Sequence, residues 1–555
     1  ELALDALRRG AGAAAGLLLL LLRLRLLAEL GARRDKAPKH RHHGAVGSGG
    51  SAAVEQQQQQ QQQLASRREE VFKPLLVAAA SSAQHVSNKH GGVSTCSLSN
   101  HPHRITITTR SATSPWLEET RRRVSLGHQL QYVRLRKFLH QRGFTSSLLQ
   151  PALFTDTGRG LQTLKTIKPC QLIISLPESC LLTTATVLSS YLGQYIKSWK
   201  CRLSPLLALC VFLVCERHRG EASDWFPYID ALPTTYTCPA YFADGVLAVL
   251  PAGVRRRASE QRRAVRELHS SSRDFFGSLQ PVLSQPVEEV FTYEALRWAW
   301  CSVNTRSVFM SHPSNNFLSG QDHYALAPFL DLLNHRPDVQ VKASFNDATR
   351  CYEIRSVSGT VRYQQAFINY GSHDNQRLLL EYGFVAPGNP HSVVYVDADL
   401  LCDVLRGDRS LDQKRKFLKE NNFVHNLTVS SDGPSWRLMT ALRLLSMPQT
   451  LYRQWKAVLL GQAVCEEREE WSVHTAETLC QRLLQDTNAA LEKISDLLRQ
   501  CDPAVREQLD VVQSLRQEER CILGRCLEAL RGTVRQPDEA LPCQPDDNDD
   551  DDAVS

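Results

Sequence analysis

Strand-like segments flank a long helical block in this chain, and any fold must bring them back together. LQTLKTI (161–167) and QLIISLP (171–177) are short, rich in Leu and Ile, and punctuated by Gly160, Pro169 and Pro177, as in small β-hairpins. From Ser204 to about Trp300 the apolar residues recur at three- and four-residue spacing, in PLLALCVFLVCERH, SSRDFFGSLQPVL and TYEALRWAWCSV, which predicts helices. Strand signals return in VQVKASFN, CYEIRSV and QQAFINYG. One β-unit is therefore split by a helical insertion at about 200–300, and the fold class is α+β.

The ordered region opens with an amphipathic helix in QYVRLRKFLHQRGF, with Val133, Leu135, Phe138 and Leu139 on one side and Gly143 as its stop. A second helical region runs from about Lys414 to Arg531. In it SWRLMTALRLLSM and AALEKISDLLRQ stand out, and Leu491, Ile494, Leu497 and Leu498 form a stripe suited to a helical-bundle core. The predicted organisation is a low-complexity leader (1–120), a split β-unit (130–386), an all-α domain (390–535) and an acidic tail (536–555).

The leader contains Gly47 to Ser51, the glutamines Gln56 to Gln63 and a Ser/His/Thr-rich stretch to about Pro115, and the tail contains Asp546 to Asp552, so both read as disordered. The run LLLLLLRLRLL at 17–27 is broken by Arg23 and Arg25 and is too short to span a bilayer. It reads as an amphipathic arm or a fragment artefact, and no membrane association is expected. Residues 1–110 carry fifteen Lys and Arg against seven Asp and Glu, so the formal +7 of the chain comes from this segment. The rest is nearly neutral, and direct nucleic-acid binding is not expected. The sixteen cysteines are scattered without CxxC spacing, which reads as reduced thiols, many in the core, and predicts no metal site.

Chemistry-bearing residues fall in five segments: TGRGLQT (157–163), SVNTRSVF (302–309), PFLDLLNH (328–335), FINYG (367–371) and LLLEYGF (378–384). GRG beside a strand permits a sharp turn and close backbone approach. Arg306 offers a planar fork of donors in an otherwise apolar stretch. Asn334 and His335 end an apolar run, where consecutive polar side chains need partners. Tyr370 sits at a strand end before Gly371.

Together, in this order, the segments resemble the SET-domain methyltransferases, and among them the split-SET branch typified by the Rubisco large-subunit methyltransferase. SDWFPYIDALP (223–233), inside the helical block, is similar to a Trp-Pro-Tyr-Leu-Pro pattern of that branch. The resemblance covers roughly residues 130–530. It implies small SET-domain β-sheets and a C-terminal substrate-binding domain that closes the site without the zinc cluster of other branches.

The resemblance further implies S-adenosyl-L-methionine as cofactor, with Gly158 and Gly160 beside its methionine part. Asn334 and His335 would contact adenine and ribose, Asp331 would touch the cofactor, and Tyr382, Gly383 and Phe384 would form the channel wall near the adenine. Tyr370 would stand at the reaction centre and touch the cofactor as well. Where a related enzyme carries an arginine for the cofactor carboxylate this chain has Gln162, and Arg306 is the natural replacement. The turn before the last strand, usually Gly with acidic residues, reads Tyr363, Gln364 and Gln365, with a local effect expected. The implied activity is protein-lysine N-methylation, on histone or non-histone proteins, in nucleus and cytosol. The rivals are protein-histidine methylation, which a split-SET relative performs on actin, and a non-catalytic binding module.

Overall fold

A computed structural model describes residues 123–404, 410–448, 451, 453, 455–460 and 462–534. The predicted leader and acidic tail lie outside the described residues.

The first elements are β1 (Arg123–Ser125), α1 (Leu130–Gln141), β2 (Leu149–Phe154), β3 (Gly158–Thr163) and β4 (Leu172–Pro177). The helical block follows, with α2 (Pro205–Arg219), α3 (Ala252–Ser271) and α4 (Tyr293–Arg306) as its main members. Strands then resume as β5 (Ser307–Phe309), β6 (Tyr324–Leu326), β7 (Asn334–His335), β8 (Val341–Asn346), β9 (Cys351–Ser356) and β10 (Gln365–Ile368), and α5 (Asn375–Tyr382) ends this part. The remainder comprises β11 (Val394–Tyr395), β12 (Thr428–Ser430), β13 (Gly433–Pro434), α6 (Trp436–Ser446), α7 (Glu466–Leu498) and α8 (Pro503–Val534), with shorter helices between.

The split β-unit does reassemble. One sheet has the order β1-β2-β3-β10-β7, so β10 enters between strands from either side of the helical block, antiparallel to β3 and parallel to β7. A second sheet, β4-β9-β8, likewise joins segments from both sides. The parallel pair sets Phe367 opposite Asn334 and Ile368 opposite His335.

Local chemistry explains the helices that frame this unit. Ser204 accepts a hydrogen bond from the Leu207 amide at 3.2 Å, Pro205 occupies the first turn and Gly220 ends α2 at φ +55°. Because α2 is apolar on all sides it is buried on all sides. Thr292 caps α4 in the same way through the Ala295 amide.

Three sequence expectations change. In α1 the buried face is Tyr132, Leu135, Phe138 and Leu139, while Val133 is exposed. The segment SSRDFFGSLQPVL is an α-helix only over Arg273–Ser278 and then tightens to a 3₁₀ turn, Gln280–Val282, that contains Pro281, which has no N–H to continue the α ladder. The C-terminal part is helical but not all-α, because β11, β12 and β13 form a three-stranded sheet against which α8 packs.

The β-unit and most of the helical block share one large core, and the C-terminal helices have their own. A third cluster joins the two parts: Val254 and Ala258 of α3, Leu379 and Leu380 of α5, Ile494 of α7, and Leu509, Val512 and Leu515 of α8. Leu491 and Ile494 of the predicted stripe are buried, while Leu497 and Leu498 are half-buried on the joining cluster. Leu509→Ala should cost about 2–5 kcal/mol, as for a fully buried leucine. A urea unfolding curve checks this, and an unchanged midpoint would mean that the two parts unfold independently.

Candidate functional site

β7 is two residues long, and its two side chains point opposite ways, as strand geometry requires. Asn334 Nδ2 donates to the carbonyls of Arg159 (3.0 Å) and Thr157 (3.3 Å), so its amide pins the turn between β2 and β3. Gly160 lies against this contact. A Cβ there would stand 3.1 Å from Asn334 Nδ2 and 2.5 Å from Gln365 Nε2, so the glycine makes room for the protein's own side chains. Gly158 sits opposite Phe154 at the hairpin end, with open space where a Cβ would be.

Gln365 extends the same contact. Its Oε1 accepts from Thr157 Oγ1 at 2.7 Å, which ties the unusual Tyr363-Gln364-Gln365 turn to the β2–β3 hairpin, 208 positions away in sequence. Gln162 is buried and bonded to Gln150 and the Tyr363 carbonyl.

His335 faces the other way. Its Nδ1 accepts the Tyr370 amide proton at 3.1 Å. An amide can only donate, so the neutral ring carries its proton on Nε2, and that atom is buried without a partner among the described residues. Burial, reinforced by His373 and His391 and opposed by Asp338, lowers the imidazole pKa to about 4, so the ring is neutral near pH 7.

Tyr370 is held at both ends, by His335 at its amide and by the Leu333 carbonyl, to which its hydroxyl donates at 2.7 Å. Burial lifts the phenol well above its ordinary range; Arg306 opposes this, and Tyr382 and Asp331 add to it. The hydroxyl stays protonated and keeps oxygen lone pairs free to accept. Around the Tyr370 ring the Tyr382 ring lies at 4.9 Å between centroids, His335 at 5.2 Å and Phe384 at 6.2 Å, the last edge-on at 83°.

The next turn fixes this wall. Asp374 caps α5 through the Arg377 amide, and Gly383 ends it at φ +79°. A side chain at Gly383 would also strike Cys238, whose backbone nitrogen lies 2.9 Å from the ideal Cβ position. Thr237 of the helical block donates to the Gly383 carbonyl at 2.5 Å. The Tyr382-Gly383-Phe384 segment is thereby seated on the insertion.

Arg306 and Asp331 form a buried pair beneath Tyr370. The Arg306 guanidinium reaches the Asp331 carbonyl at 3.0 Å and its carboxylate at 3.4 Å, and Tyr228 donates to the same carboxylate at 3.0 Å. Burial disfavours the guanidinium charge, yet Asp331 with Tyr236, Tyr228 and Tyr370 more than restores it. Burial raises the Asp331 carboxyl above its ordinary range while Arg306 and Tyr228 pull it down. Among the described residues Asp331 is the carboxylate that Arg306 meets. The sequence assigned this fork to a ligand carboxylate and Asp331 to a ligand contact. In the structure each serves the other, and Arg306 Nε is left buried without a partner among the described residues.

Just upstream, Phe329 adopts φ +72° and ψ −47°, a strained backbone for a residue with a Cβ, costing about 1–3 kcal/mol. Its ring is buried against Phe144 at 5.4 Å, which holds the turn that delivers Asp331.

All ten sequence-predicted residues therefore fall on contiguous elements: Gly158 and Gly160 on β3, Arg306 and Asp331 beneath Tyr370, Asn334 and His335 on β7, and Tyr382, Gly383 and Phe384 on the wall. Tyr228, Tyr236, Gln365 and His373 were missed as members. Tyr228 carried a signal within SDWFPYIDALP, and Gln365 one in the unusual turn before the last strand.

Asp331→Ala should lower stability by about 3–5 kcal/mol by leaving the Arg306 charge buried and unpaired. A thermal melt reads it, and a small shift would mean that Arg306 reaches solvent. His335 makes stability pH-dependent with a definite sign. Its folded pKa lies below the ordinary 6.5, so the unfolded chain binds the proton more readily, and the contribution is complete above about 6.5 and lost as the pH falls toward about 4. His335→Gln should lack this dependence, measured by denaturant unfolding between those limits.

A family model described as Rubisco LSMT substrate-binding matches residues 406–523. A Mus musculus protein named SET domain-containing protein 4 is 48% identical over 415 residues, which is 74% of this chain and 94% of that protein. A Danio rerio actin-histidine N-methyltransferase is 25% identical over 411 residues, 70% of this chain and 67% of that protein. A crystal structure of the SET domain of LSMT bound to lysine and AdoHcy shares the fold, with a TM-score of 0.50 and 18% identity over 73% of this chain and 91% of that one. With the β-unit reassembled around Asn334, His335 and Tyr370, the chain belongs to the SET domain-containing protein 4 family, in the split-SET, Rubisco LSMT-like group.

Proposed function

We propose that the protein transfers a methyl group from S-adenosyl-L-methionine to a lysine side chain of another protein. Membership of a SET-domain methyltransferase family gives the reaction class. The observation that carries the assignment to this site is Tyr370, half-buried, protonated and fixed at both ends inside an aromatic wall.

S-adenosyl-L-methionine, when bound, supplies the electrophilic methyl. The residues present suit such a group. Arg306 Nε and His335 Nε2 are buried donors with no partner among the described residues, and space is open at Gly158. The faces of Tyr370, Tyr382 and Phe384 favour a neighbouring positive charge. Asn334 would contribute through its backbone, because its amide is spent on Thr157 and Arg159. Arg306 would contribute through Nε and through the positive field it shares with Asp331.

The accepting lysine must arrive as a neutral amine. An apolar, ring-walled surround disfavours the ammonium form and lowers its pKa. The Tyr370 oxygen and nearby backbone carbonyls can accept the amine N–H groups and aim the nitrogen lone pair, and such orientation supplies several kcal/mol of the barrier. A primary amine has hydrogens to spare for these acceptors, which supports lysine. Histidine is the second reading, supported by the likeness to the Danio rerio enzyme.

The partner is a protein bearing the target lysine, histone or non-histone, met in the nucleus and cytosol. Thiols such as Cys210 and Cys215, buried and unpaired, suit such reducing compartments. No helix among the described residues is long and apolar enough to cross a membrane.

Labelled methyl transfer from S-adenosyl-L-methionine to core histones and a cell lysate tests the assignment, with mass spectrometry to place the label. Tyr370→Phe should reduce transfer on the order of 100-fold, as misplacement of reacting groups does. Label on histidine would establish the second reading, and cofactor binding without any transfer would make the protein a binding module.

A further inference from the structure

The far end of the chain reaches back to the loop beyond Tyr370. Glu518, on α8, accepts hydrogen bonds from the Asn375 side-chain amide and from the Asn389 backbone N–H, the latter at 3.2 Å. Asn389 in turn donates its amide to the His373 carbonyl at 2.8 Å and to Asn375 Oδ1 at 3.3 Å. Asn375 closes the ring through both directions of a pairing with Ala386, at 2.8 and 3.0 Å. Asn375 and Asn389 are almost wholly buried.

The segment so enclosed, His373 to Asn389, carries Tyr382 and Phe384. His373 is its entry point: its ring stacks on Tyr382 at 6.1 Å, and its Nε2 would lie 2.7 Å from a Cβ at Gly371, the residue after Tyr370. One carboxylate from α8 therefore stands at the centre of the contacts that set where the aromatic wall lies relative to Tyr370.

We propose that Glu518 is a positioning residue for methyl transfer, an ionised latch that holds the 373–389 segment in its working place and loosens it on protonation. The inference rests on the methyl-transfer reading above. Burial pushes the Glu518 carboxyl up to about 7, with Glu519 adding to the rise and the Asn389 amide and Ser392 hydroxyl favouring the ionised form, so the latch changes state near neutral pH. Below that, one carboxyl oxygen carries a proton, which sets a donor against the Asn375 or Asn389 N–H, and it accepts from that group only weakly.

The neighbouring charges do not replace it. Glu519 on the same helix is taken by Gln376 and Arg516, and Arg516 also holds Asp486 of α7. Arg257 of α3 is on Gln376, Asp374 accepts from Tyr395, and Arg377 pairs with Glu381 on α5. His391 meets the ring through its backbone N–H on Asn389 Oδ1.

The test compares full-length wild type, Glu518→Gln and Asn389→Ala. In Glu518→Gln, kcat above pH 8 should fall about tenfold, the equivalent of one weakened hydrogen bond, with KM for S-adenosyl-L-methionine unchanged and the acid limb of the kcat profile near pH 7 gone. Amide hydrogen exchange across 371–389, measured without cofactor, should quicken in both variants, and in wild type as the pH is lowered through 7 after correction for intrinsic rates. Unchanged exchange and an unchanged acid limb in a folded Glu518→Gln protein would overturn the latch. Wild type that transfers no methyl would overturn the enzymatic reading instead, and the exchange measurements would still decide whether the latch exists.

Discussion

The Arg306–Asp331 pair is the constraint around which the rest is arranged. Arg306 is the last residue of α4, Asp331 lies in the turn before β7, and Tyr228, which bonds the same carboxylate, comes from the middle of the helical block. Two charges taken out of water tolerate only geometries in which each satisfies the other. Burial of apolar side chains supplies most of the cohesion between insertion and β-unit, but apolar contact alone accepts small slips. A buried ion pair with a third hydrogen-bond partner does not, and it lies within electrostatic reach of the Tyr370 hydroxyl.

From there order passes outward through β7. Asn334 and His335 alternate across one short strand, so one side chain governs the β2–β3 turn and the other governs Tyr370. This accounts for two consecutive polar residues after an apolar run: each meets a backbone group, Asn334 the carbonyls of Thr157 and Arg159 and His335 the amide of Tyr370. The aromatic wall is then set by its own cap and glycine stop, by Thr237 from the insertion and by α8 from the C-terminal part.

Much of this was legible in the sequence. The split β-unit could be read because short Leu/Ile segments and three- and four-residue periodicity are local signals, and the five motifs were recognisable as a set. What stayed hidden was long-range. Arg306 advertises a carboxylate partner, but nothing local reveals that Asp331, twenty-five residues on, meets it within the chain. Gln365 looked like a turn residue because its tie to Thr157 spans 208 positions. In α1, Tyr132 was passed over for Val133, since a hydroxyl at the tip of a ring conceals how much of the side chain is buried. Glu518 sits in a helix of many charged residues, and only the fold separates it from the solvated ones.

The strand order also bears on how the molecule is made. β3 leaves the ribosome with one edge satisfied by β2, and its other neighbour, β10, is encoded some 200 residues later. At about 5–20 residues per second that edge waits roughly 10–40 s during synthesis. Throughout this interval the row of unpaired backbone groups is open to any extended segment nearby, including a second nascent copy. The apolar helices of the insertion emerge during the same interval. Until β10 is made, wrong pairing at the open edge of β3 competes with the right one, so the order of synthesis is itself a hazard that this strand order creates.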